Sequence, residues 1–321
     1  MTKKYSCVYD FDAHLYSGAV FLQDNYIIAT HKETGYPLQF KNITTFRGRG
    51  NKVGGWLADR NVEKGTNLHY DDFKITNHSI RNDKITAIPK KLMTASIEAI
   101  YNKDWCKDLK LIIGGKSNYR KKLWPEYKAN RPEKPIMYPK MREWLEEEYK
   151  DIIVVANGCE ADDYLSIMMH WMRGKCGENF DEWDLVLIHR DKDMIQCGGY
   201  QWDWFKKPEK PIWVTELQRA KSFWGQMLQG DTVDNIPGLK NVTEDVWKNY
   251  KLKGKRGIGA INATILLTGC NNALQMEERV LYFYKSYWDQ FDGEDWKKHF
   301  QLNYQMLKLM DKKGVIPKYE F

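Results

Sequence analysis

The sequence of 321 residues predicts an α/β fold, with a central, mainly parallel sheet flanked by helices and a C-terminal helical region. Short apolar segments alternate with segments of helical spacing through the first part of the chain, which is typical of parallel α/β proteins. Acidic residues follow these apolar segments, as ligand-binding residues do at the carboxyl ends of parallel strands. Beyond Thr215, short helical segments joined by glycine and proline turns continue to the end.

The individual elements follow from apolar periodicity and turn residues. The chain alternates over residues 26–46, where Glu33, Thr34 and Gly35 predict the turn of a hairpin. The pattern predicts strands at 5–10, 109–113, 152–156 and 185–188, and helices at 87–101, at 139–148 and from 162 to 172.

The length allows one large domain or two smaller ones. We expect residues 1–210 to form an α/β core, with an insertion at 17–80 and a basic segment at 116–145, and residues 211–321 to form a helical DNA-binding region. The glycine-rich segment 47–55 is either a solvated linker or a nucleic-acid contact.

Composition narrows the class of protein without deciding the function. The formal net charge of +7 suits a polyanionic partner, although many ordinary proteins are as basic. The 13 Trp and 19 Tyr can stack on bases, but most are expected in the core. The six cysteines form no CxxC pair, so we expect free thiols. No leader or membrane-spanning segment is visible, and we expect a cytoplasmic monomer with no membrane partner.

Acidic residues occur in four groups at predicted strand ends, helix starts or turns. Each alone has an ordinary explanation, because single aspartates commonly cap helices and turns. The carboxyl ends of parallel strands share one edge, so the groups are expected to converge there. The groups are Asp10 and Asp12; Glu160, Asp162 and Asp163; Asp191 and Asp193; and Asp231 and Asp234.

Carboxylates brought together in this way repel one another unless a cation neutralises them. Hard divalent cations prefer oxygen ligands, and no set of cysteines or histidines offers a better zinc site. The sequence therefore predicts Mg²⁺ or Mn²⁺, with two ions suited to phosphodiester hydrolysis.

Between the second and third predicted strands lies a segment rich in basic and aromatic residues. Cations contact phosphates and aromatic rings stack on unpaired bases, so this segment is predicted to bind nucleic acid. The alternative is a solvated helical face. Its members are Lys116, Arg120, Lys121, Lys122, Lys128 and Arg131, with Tyr119, Trp124 and Tyr127 interleaved.

Near the C-terminal end, Gly257 and Gly259 precede an apolar helix. Backbone amides exposed at a helix start can bind a phosphate, although a lone GxG is a weak signal.

Taken together, these motifs resemble the 5′-nuclease superfamily, which includes flap endonucleases and phage 5′→3′ exonucleases. The matching pieces occur in the family's order and span roughly residues 5–270. They are VYDFD (8–12), WPEYKANR (124–131), GCEADD (158–163), HRDKDM (189–194), GDTVDNIPG (230–238) and RGIG (256–259).

The resemblance implies a 5′→3′ exonuclease acting on duplex DNA, with flap endonuclease and ribonuclease H activities as further implications. Lys128 and Arg131 match the arch-base motif that contacts the phosphate near the scissile bond. Gly257 and Gly259 match a helix–hairpin–helix that grips duplex DNA, often with K⁺. Metal ligands are matched by Asp10, Glu160, Asp162, Asp191 and Asp193, and more peripheral acidic positions by Asp163, Asp231 and Asp234.

The chain also departs from the family pattern. Members commonly carry a further aspartate after the second strand, where this chain has Gly114 and Gly115. Asp12 or Asp104 would have to compensate, or one ion is held more loosely. The helix–hairpin–helix is also interrupted, because about twenty residues separate IPG (236–238) from GIG (257–259). The compact size without a polymerase domain is typical of phage enzymes of DNA replication.

Two other classes of function stay open. One is a non-catalytic, structure-specific DNA-binding protein on the same scaffold, which the two glycines favour. The other is a PIN-type ribonuclease, which also clusters acids on an α/β sheet but typically lacks the GDTVDNIPG and GIG segments.

Overall fold

The computed structural model describes residues 3–49, 54–82, 87–254 and 257–321. The chain divides into two compact units. Unit 1 comprises Met1–Asp12, Glu98–Pro132 and Tyr149–Phe321, and unit 2 comprises Ala13–Ile97 and Glu133–Glu148. Part of the predicted glycine-rich segment, residues 50–53, and Arg256 of the RGIG motif lie outside the described residues.

The described strands form two sheets. Along the chain they are β1 (Tyr5–Asp10), β2 (Gln23–His31), β3 (Pro37–Phe40), β4 (Phe73–Arg81), β5 (Cys106–Gly114), β6 (Ile153–Ala156), β7 (Leu185–His189), β8 (Gly199–Asp203) and β9 (Ile212–Val214).

The α-helices described are α1 (Asp12–Val20), α2 (Ile43–Arg47), α3 (Trp56–Lys64), α4 (Ala87–Tyr101), α5 (Tyr119–Leu123), α6 (Tyr138–Glu148), α7 (Ala161–Cys176), α8 (Glu216–Gln229), α9 (Glu244–Asn249), α10 (Ala260–Leu266), α11 (Ala273–Trp288) and α12 (Trp296–Leu307). None of the helices described is both long enough and apolar enough to cross a membrane.

Unit 1 is built on a six-stranded sheet in the order β6-β5-β1-β7-β8-β9. Every neighbouring pair is parallel except β8 and β9, which are antiparallel. The register aligns Asp10 of β1 with Ile112 of β5, and His189 of β7 with Asp203 of β8. The carboxyl ends of β1, β5, β6, β7 and β8 therefore share one edge, and the predicted fold class is confirmed.

Burial explains why these segments form central strands. β7 is buried along its whole length, and β1 is buried at four of its six positions. Continuous apolar burial is expected of parallel strands inside a sheet. One core cluster joins Val8, Ile112 and Leu187 of the sheet to Leu165 and Met169 of α7.

The C-terminal helices α8 to α12 share a second core. Met227, Phe283 and Phe300 are fully buried in it, and the Tyr284 hydroxyl donates to the Met227 carbonyl at 2.6 Å. The short helical segments joined by glycine and proline turns that the sequence predicted beyond Thr215 are present here.

Unit 2 contains the antiparallel sheet β3-β2-β4. The predicted hairpin is present, with His31 of β2 followed by a turn into β3 at Pro37. Phe46 and Leu57 pack with Ile27 and Phe73 in its core. Strand β4 was not predicted, because most of its residues are polar and exposed and the apolar signal is weak.

Candidate active site at the carboxyl edge of the sheet

Strand β1 delivers two carboxylates to this edge. Asp10 is its last residue, and its Oδ1 accepts a hydrogen bond from the Asp12 backbone N–H at 3.3 Å. The Asp12 carboxylate in turn accepts from the Gly114 N–H at 3.0 Å. A Cβ added at Gly114 would lie 2.8 Å from Asp12 Oδ2. Asp12 thus occupies the space beside the missing carboxylate, whereas Asp104 precedes the amino end of β5 at the opposite edge.

The start of α7 supplies three acids with different surroundings. Glu160 is the N-cap, and its backbone N–H donates to the Asp163 carboxylate at 3.2 Å in a capping box. Asp163 is fully buried, and the Arg120 guanidinium donates two hydrogen bonds to its carboxylate, at 2.7 and 2.8 Å. Asp162 lies on the same helical turn but faces other acids. We call the set the acidic cluster; it comprises Asp10, Glu160, Asp162, Asp191, Asp193, Asp231 and Asp234. Burial, together with the charges of Asp10 and Glu160, raises the pKa of Asp162 well above the usual value.

Strand β7 ends in a turn that positions Asp191 and Asp193. Buried His189 contacts the Asp191 carbonyl at 2.7 Å and the Gln201 side-chain oxygen at 2.8 Å. The Asp191 carboxylate caps the following 3₁₀ turn by accepting from the Asp193 N–H at 2.9 Å. In the sequence, His189 stood out only as part of the HRDKDM motif. Gln201 carried no signal, because its contact with His189 forms across to the neighbouring strand β8.

The GDTVDNIPG segment forms a tight turn for steric reasons. Gly230 and Gly238 both have positive φ, and a Cβ on either would come within 2.7 Å of the other's backbone. Asn303, far along the chain, donates to the Gly238 carbonyl and accepts from its N–H, both at 3.0 Å. Asp231 Oδ1 accepts from the Asp234 N–H at 3.2 Å, so this turn orients both acids.

The structure brings most of the predicted acids together. Burial, aided by Asp12 and Asp191, raises the pKa of Asp10 to about 7. Burial, with Asp191 and Asp231, raises the pKa of Asp193 to about 7 as well. One cavity of about 40 Å³ is lined by Glu160, Asp162, Asp193, Asp231 and Asp234.

Basic residues of the segment after β5 lie against these acids. Lys128 forms ion pairs with Glu160 and, at 3.6 Å, with Asp234, and Arg131 pairs with Asp234. Burial alone would raise the pKa of Glu160, but the charges of Lys128 and Arg120 hold it below the usual value. The Lys128 N–H donates to the Asp234 carbonyl at 3.0 Å, which joins this segment to the GDTVDNIPG turn.

Two residues predicted to contact nucleic acid instead have internal partners. Arg120 is 1% exposed, and beyond its acids it donates to the carbonyls of Met306 at 2.8 Å and Lys308 at 3.1 Å. Tyr127 is buried, and its hydroxyl donates to Glu160 at 2.8 Å, with an Asp234 oxygen 3.3 Å from the same hydroxyl. Burial raises the pKa of Tyr127 well above its usual value, so the hydroxyl stays protonated.

Asp163 likewise has internal partners in place of the predicted metal. Its two oxygens accept from Arg120, from the Glu160 N–H and from the Met310 N–H at 3.1 Å. The remaining basic residues of the segment, Lys116, Lys121 and Lys122, are exposed.

Gly257 and Gly259 directly precede the short helix α10. Gly257 has a φ of +77°, and Gly259 is the N-cap. Asn262 organises the preceding loop by bonding both the N–H and the carbonyl of Lys253 at 2.9 Å.

The donor set fits a hard divalent cation. All the clustered donors are carboxylate oxygens, and Asp193 Oδ1 is buried without a hydrogen-bond partner. Among the residues described, no three His, Cys, Asp or Glu side chains already stand in a geometry that would hold a metal ion. Lys128 pairs with Glu160 and Arg131 pairs with Asp234, so these two acids already have cationic partners.

Comparison with known proteins identifies relatives. No family model matches the chain. A protein named 5′-3′ exonuclease from Buchnera aphidicola subsp. Acyrthosiphon pisum (strain APS) is 32% identical over 164 residues, which are 47% of this chain and 54% of that protein. A protein of the same name from Buchnera aphidicola subsp. Schizaphis graminum (strain Sg) is 27% identical over 164 residues, again 47% of this chain and 54% of that protein. The chain therefore spans about half the length of the curated relatives it matches.

Among solved structures, the T5 D15 protein co-crystallised with metal ions aligns with a TM-score of 0.38 and 16% identity, covering 68% of this chain and 92% of that one. Over about half of its length, the chain is therefore similar to proteins named 5′-3′ exonuclease, in agreement with the resemblance that the motifs predicted.

Proposed function

We propose that this chain is a metal-dependent nuclease that hydrolyses phosphodiester bonds of DNA from a 5′ end. The observation that carries the proposal is the cavity lined by Glu160, Asp162, Asp193, Asp231 and Asp234, with Lys128 and Arg131 against it. These carboxylates are half-buried, and acids that repel one another in such a site are costly to keep unless they hold cations. The names of the curated relatives support the same activity.

The cofactor is Mg²⁺ or Mn²⁺, in two sites. We assign Asp10, Glu160, Asp162, Asp191 and Asp193 as ligands, with Asp231 and Asp234 serving the second ion or its waters. When bound, such ions activate water and neutralise developing charge on a phosphate. Asp12, held by the Gly114 N–H, takes the place of the carboxylate that the two glycines lack.

The chain's own cations position the substrate. Lys128 and Arg131 face the acids and would hold the phosphate next to the bond that is cut. Exposed Lys116, Lys121 and Lys122 extend this basic surface outward, where they would contact further phosphates.

We propose that residues 211–321 form the helical region that binds duplex DNA. Helices α9 and α10, with Gly257 and Gly259 between them, would form the helix–hairpin–helix and bind K⁺ and the duplex backbone. The substrate is duplex DNA with a 5′ end or flap, and an RNA–DNA hybrid is a further substrate. We place the protein, acting as a cytoplasmic monomer, in phage DNA replication.

A cleavage assay tests the proposal directly. End-labelled duplex, flap and RNA–DNA hybrid are incubated with and without Mg²⁺, and products are separated on gels. We expect metal-dependent release of short products from the 5′ end, and we expect Asp191→Ala to abolish cleavage while DNA binding survives. Full activity of that variant, with a verified metal requirement, would contradict the assignment.

A non-catalytic DNA-binding protein is the second candidate, because no carboxylate fits at 115. A Cβ there would lie 2.1 Å from the Ala156 carbonyl oxygen. Tight flap binding without cleavage in either Mg²⁺ or Mn²⁺ would favour this candidate. Cleavage of single-stranded RNA in preference to duplex DNA would favour a PIN-type ribonuclease.

Lys128→Met separates metal binding from catalysis. Lys128 competes with a metal for Glu160, so its removal is expected to tighten Mn²⁺ binding severalfold in calorimetry. Cleavage is expected to fall about 10²-fold, as when one charge-stabilising donor is lost. Lys150→Met, at an exposed position before the amino end of β6, is the matched control. Weaker Mn²⁺ binding by the Lys128 variant would show that Lys128 holds Glu160 in place for the metal.

A further inference from the structure

The loop between β8 and β9 lies at the same edge as the acidic cluster. We call residues 204–211 the aromatic loop; it carries Trp204 and Phe205 followed by several lysines. The Trp204 N–H donates to the His189 carbonyl at 3.1 Å, at the end of β7. Because Asp191 follows His189 by two residues, the aromatic loop starts close to one of the proposed metal ligands.

An exposed aromatic face and a cation meet in this loop. Phe205 is 63% exposed, so its ring is accessible to a partner. The guanidinium of Arg190 lies 4.3 Å from the centre of the Phe205 ring and 5.6 Å from that of Trp204. Arg190 directly precedes Asp191 in the chain, so this pair flanks the acidic cluster.

Hydrogen bonds hold the aromatic loop in one conformation. Asp203 Oδ1 accepts from the N–H groups of Phe205 at 2.9 Å and Lys206 at 3.1 Å. The Trp202 indole donates to the Pro208 carbonyl at 2.7 Å. A surface that is already ordered loses less conformational entropy when it binds a partner.

The charges of the loop favour a polyanion over a protein's apolar segment. Lys206, Lys207 and Lys210 are exposed beside Phe205, and Asp203 and Glu209 are the acids of the same stretch. Asp203 is largely occupied by the loop's own N–H groups and by Lys206 at 3.4 Å. A cation–π pair on the surface stabilises a fold by only about 0.5–1 kcal/mol, which is a weak reason to expose a phenylalanine.

We propose that the aromatic loop binds unpaired nucleotides of single-stranded DNA next to the acidic cluster. Phe205 stacks on a base, and Arg190, Lys206 and Lys207 face the adjoining phosphates. This inference rests on the proposed nuclease function and adds a site for an unpaired strand to it. Stacking tolerates any base, so the site binds without sequence preference.

The test measures binding of a fluorescent oligothymidylate and of a blunt hairpin duplex by anisotropy, in EDTA so that no cleavage occurs. Phe205→Ala is expected to weaken binding of the single strand at least about fivefold and to leave the duplex unaffected. Phe205→Tyr, which keeps a ring, is expected to restore binding. Circular dichroism confirms that each variant is folded.

Phe180→Ala is the matched control. Phe180 is 50% exposed, and its carbonyl accepts from Lys3, which precedes the amino end of β1 at the opposite edge. We expect this variant to bind like the unaltered chain. Unchanged single-strand binding by Phe205→Ala, or equal losses in both alanine variants, would overturn the proposal.

Cleavage assays separate this proposal from the nuclease assignment. A chain that cuts no substrate but needs Phe205 for single-strand binding refutes the nuclease function alone. A chain that cuts with Mg²⁺ but binds single strands equally well without Phe205 refutes the aromatic-loop proposal alone.

Discussion

Asp162→Asn is expected to abolish cleavage and yet to make the metal-free protein more stable. Asp162 is half-buried, and its loss of water together with the charges of Asp10 and Glu160 raises its pKa well above the usual value. Because its folded-state pKa lies above the unfolded value of 3.8, this carboxyl destabilises the fold once the pH exceeds that value. Asparagine has the same shape and carries no charge, so the thermal midpoint in EDTA at pH 8 should rise.

The same substitution removes a proposed metal ligand. Cleavage is expected to fall by about 10³-fold or more, which corresponds to about 4 kcal/mol of transition-state stabilisation. The rise in thermal midpoint that Mg²⁺ produces in the unaltered chain should shrink, because a ligand that binds only the folded state stabilises in proportion to its affinity. Gel assays and thermal scans with and without Mg²⁺ measure both effects.

Asp163→Asn is the control on the same helical turn. Asp163 faces Arg120 and the N–H of Met310, so its loss leaves a buried cation without its main partner. We expect it to destabilise the protein with or without metal, opposite in sign to Asp162→Asn. If both variants were less stable than the unaltered chain in EDTA, the prediction that repulsion among the acids destabilises the metal-free protein would be contradicted.

Arg120→Met is expected to cost about 3–5 kcal/mol of unfolding free energy. Removing one partner of a buried ion pair leaves the other charge uncompensated, which is the main source of such a loss. Arg120 also satisfies the carbonyls of Met306 and Lys308, which methionine cannot do. Urea denaturation measures the change in unfolding free energy. Because folded proteins are typically stable by about 5–15 kcal/mol, we expect the variant to remain at least partly folded at low temperature.

Lys121→Met is the matched control for this variant. Lys121 is the exposed neighbour of Arg120, and surface substitutions usually change stability by no more than about 0.5 kcal/mol. We expect it instead to weaken DNA binding at low salt. Unchanged stability of Arg120→Met together with weaker DNA binding would return Arg120 to the nucleic-acid contact that the sequence predicted.

Several parts of the candidate site could be predicted because they depend on local order in the chain. Asp10 ends β1 and Asp191 follows β7, and apolar strands of this length in an α/β pattern place such residues at one edge. Asp231 and Asp234 followed from turn chemistry, since Gly230 and Gly238 need positive φ. The strand β8 was missed because Gly199, Gln201 and Asp203 interrupt its apolar pattern, and β9 because it has only three residues. The aromatic loop between them was missed for the same reasons.

The sequence by itself determined the α/β class, the meeting of the acids at one edge and the basic character of the segment after β5. Only the tertiary structure decided which basic residue is buried in contact with internal partners and which is exposed to solvent. Arg120 and Lys121 are equivalent in pattern, but the carbonyls that Arg120 binds lie 186 and 188 residues further along the chain. Burial of a charge depends on such distant partners, since it is tolerated only where they compensate for lost water.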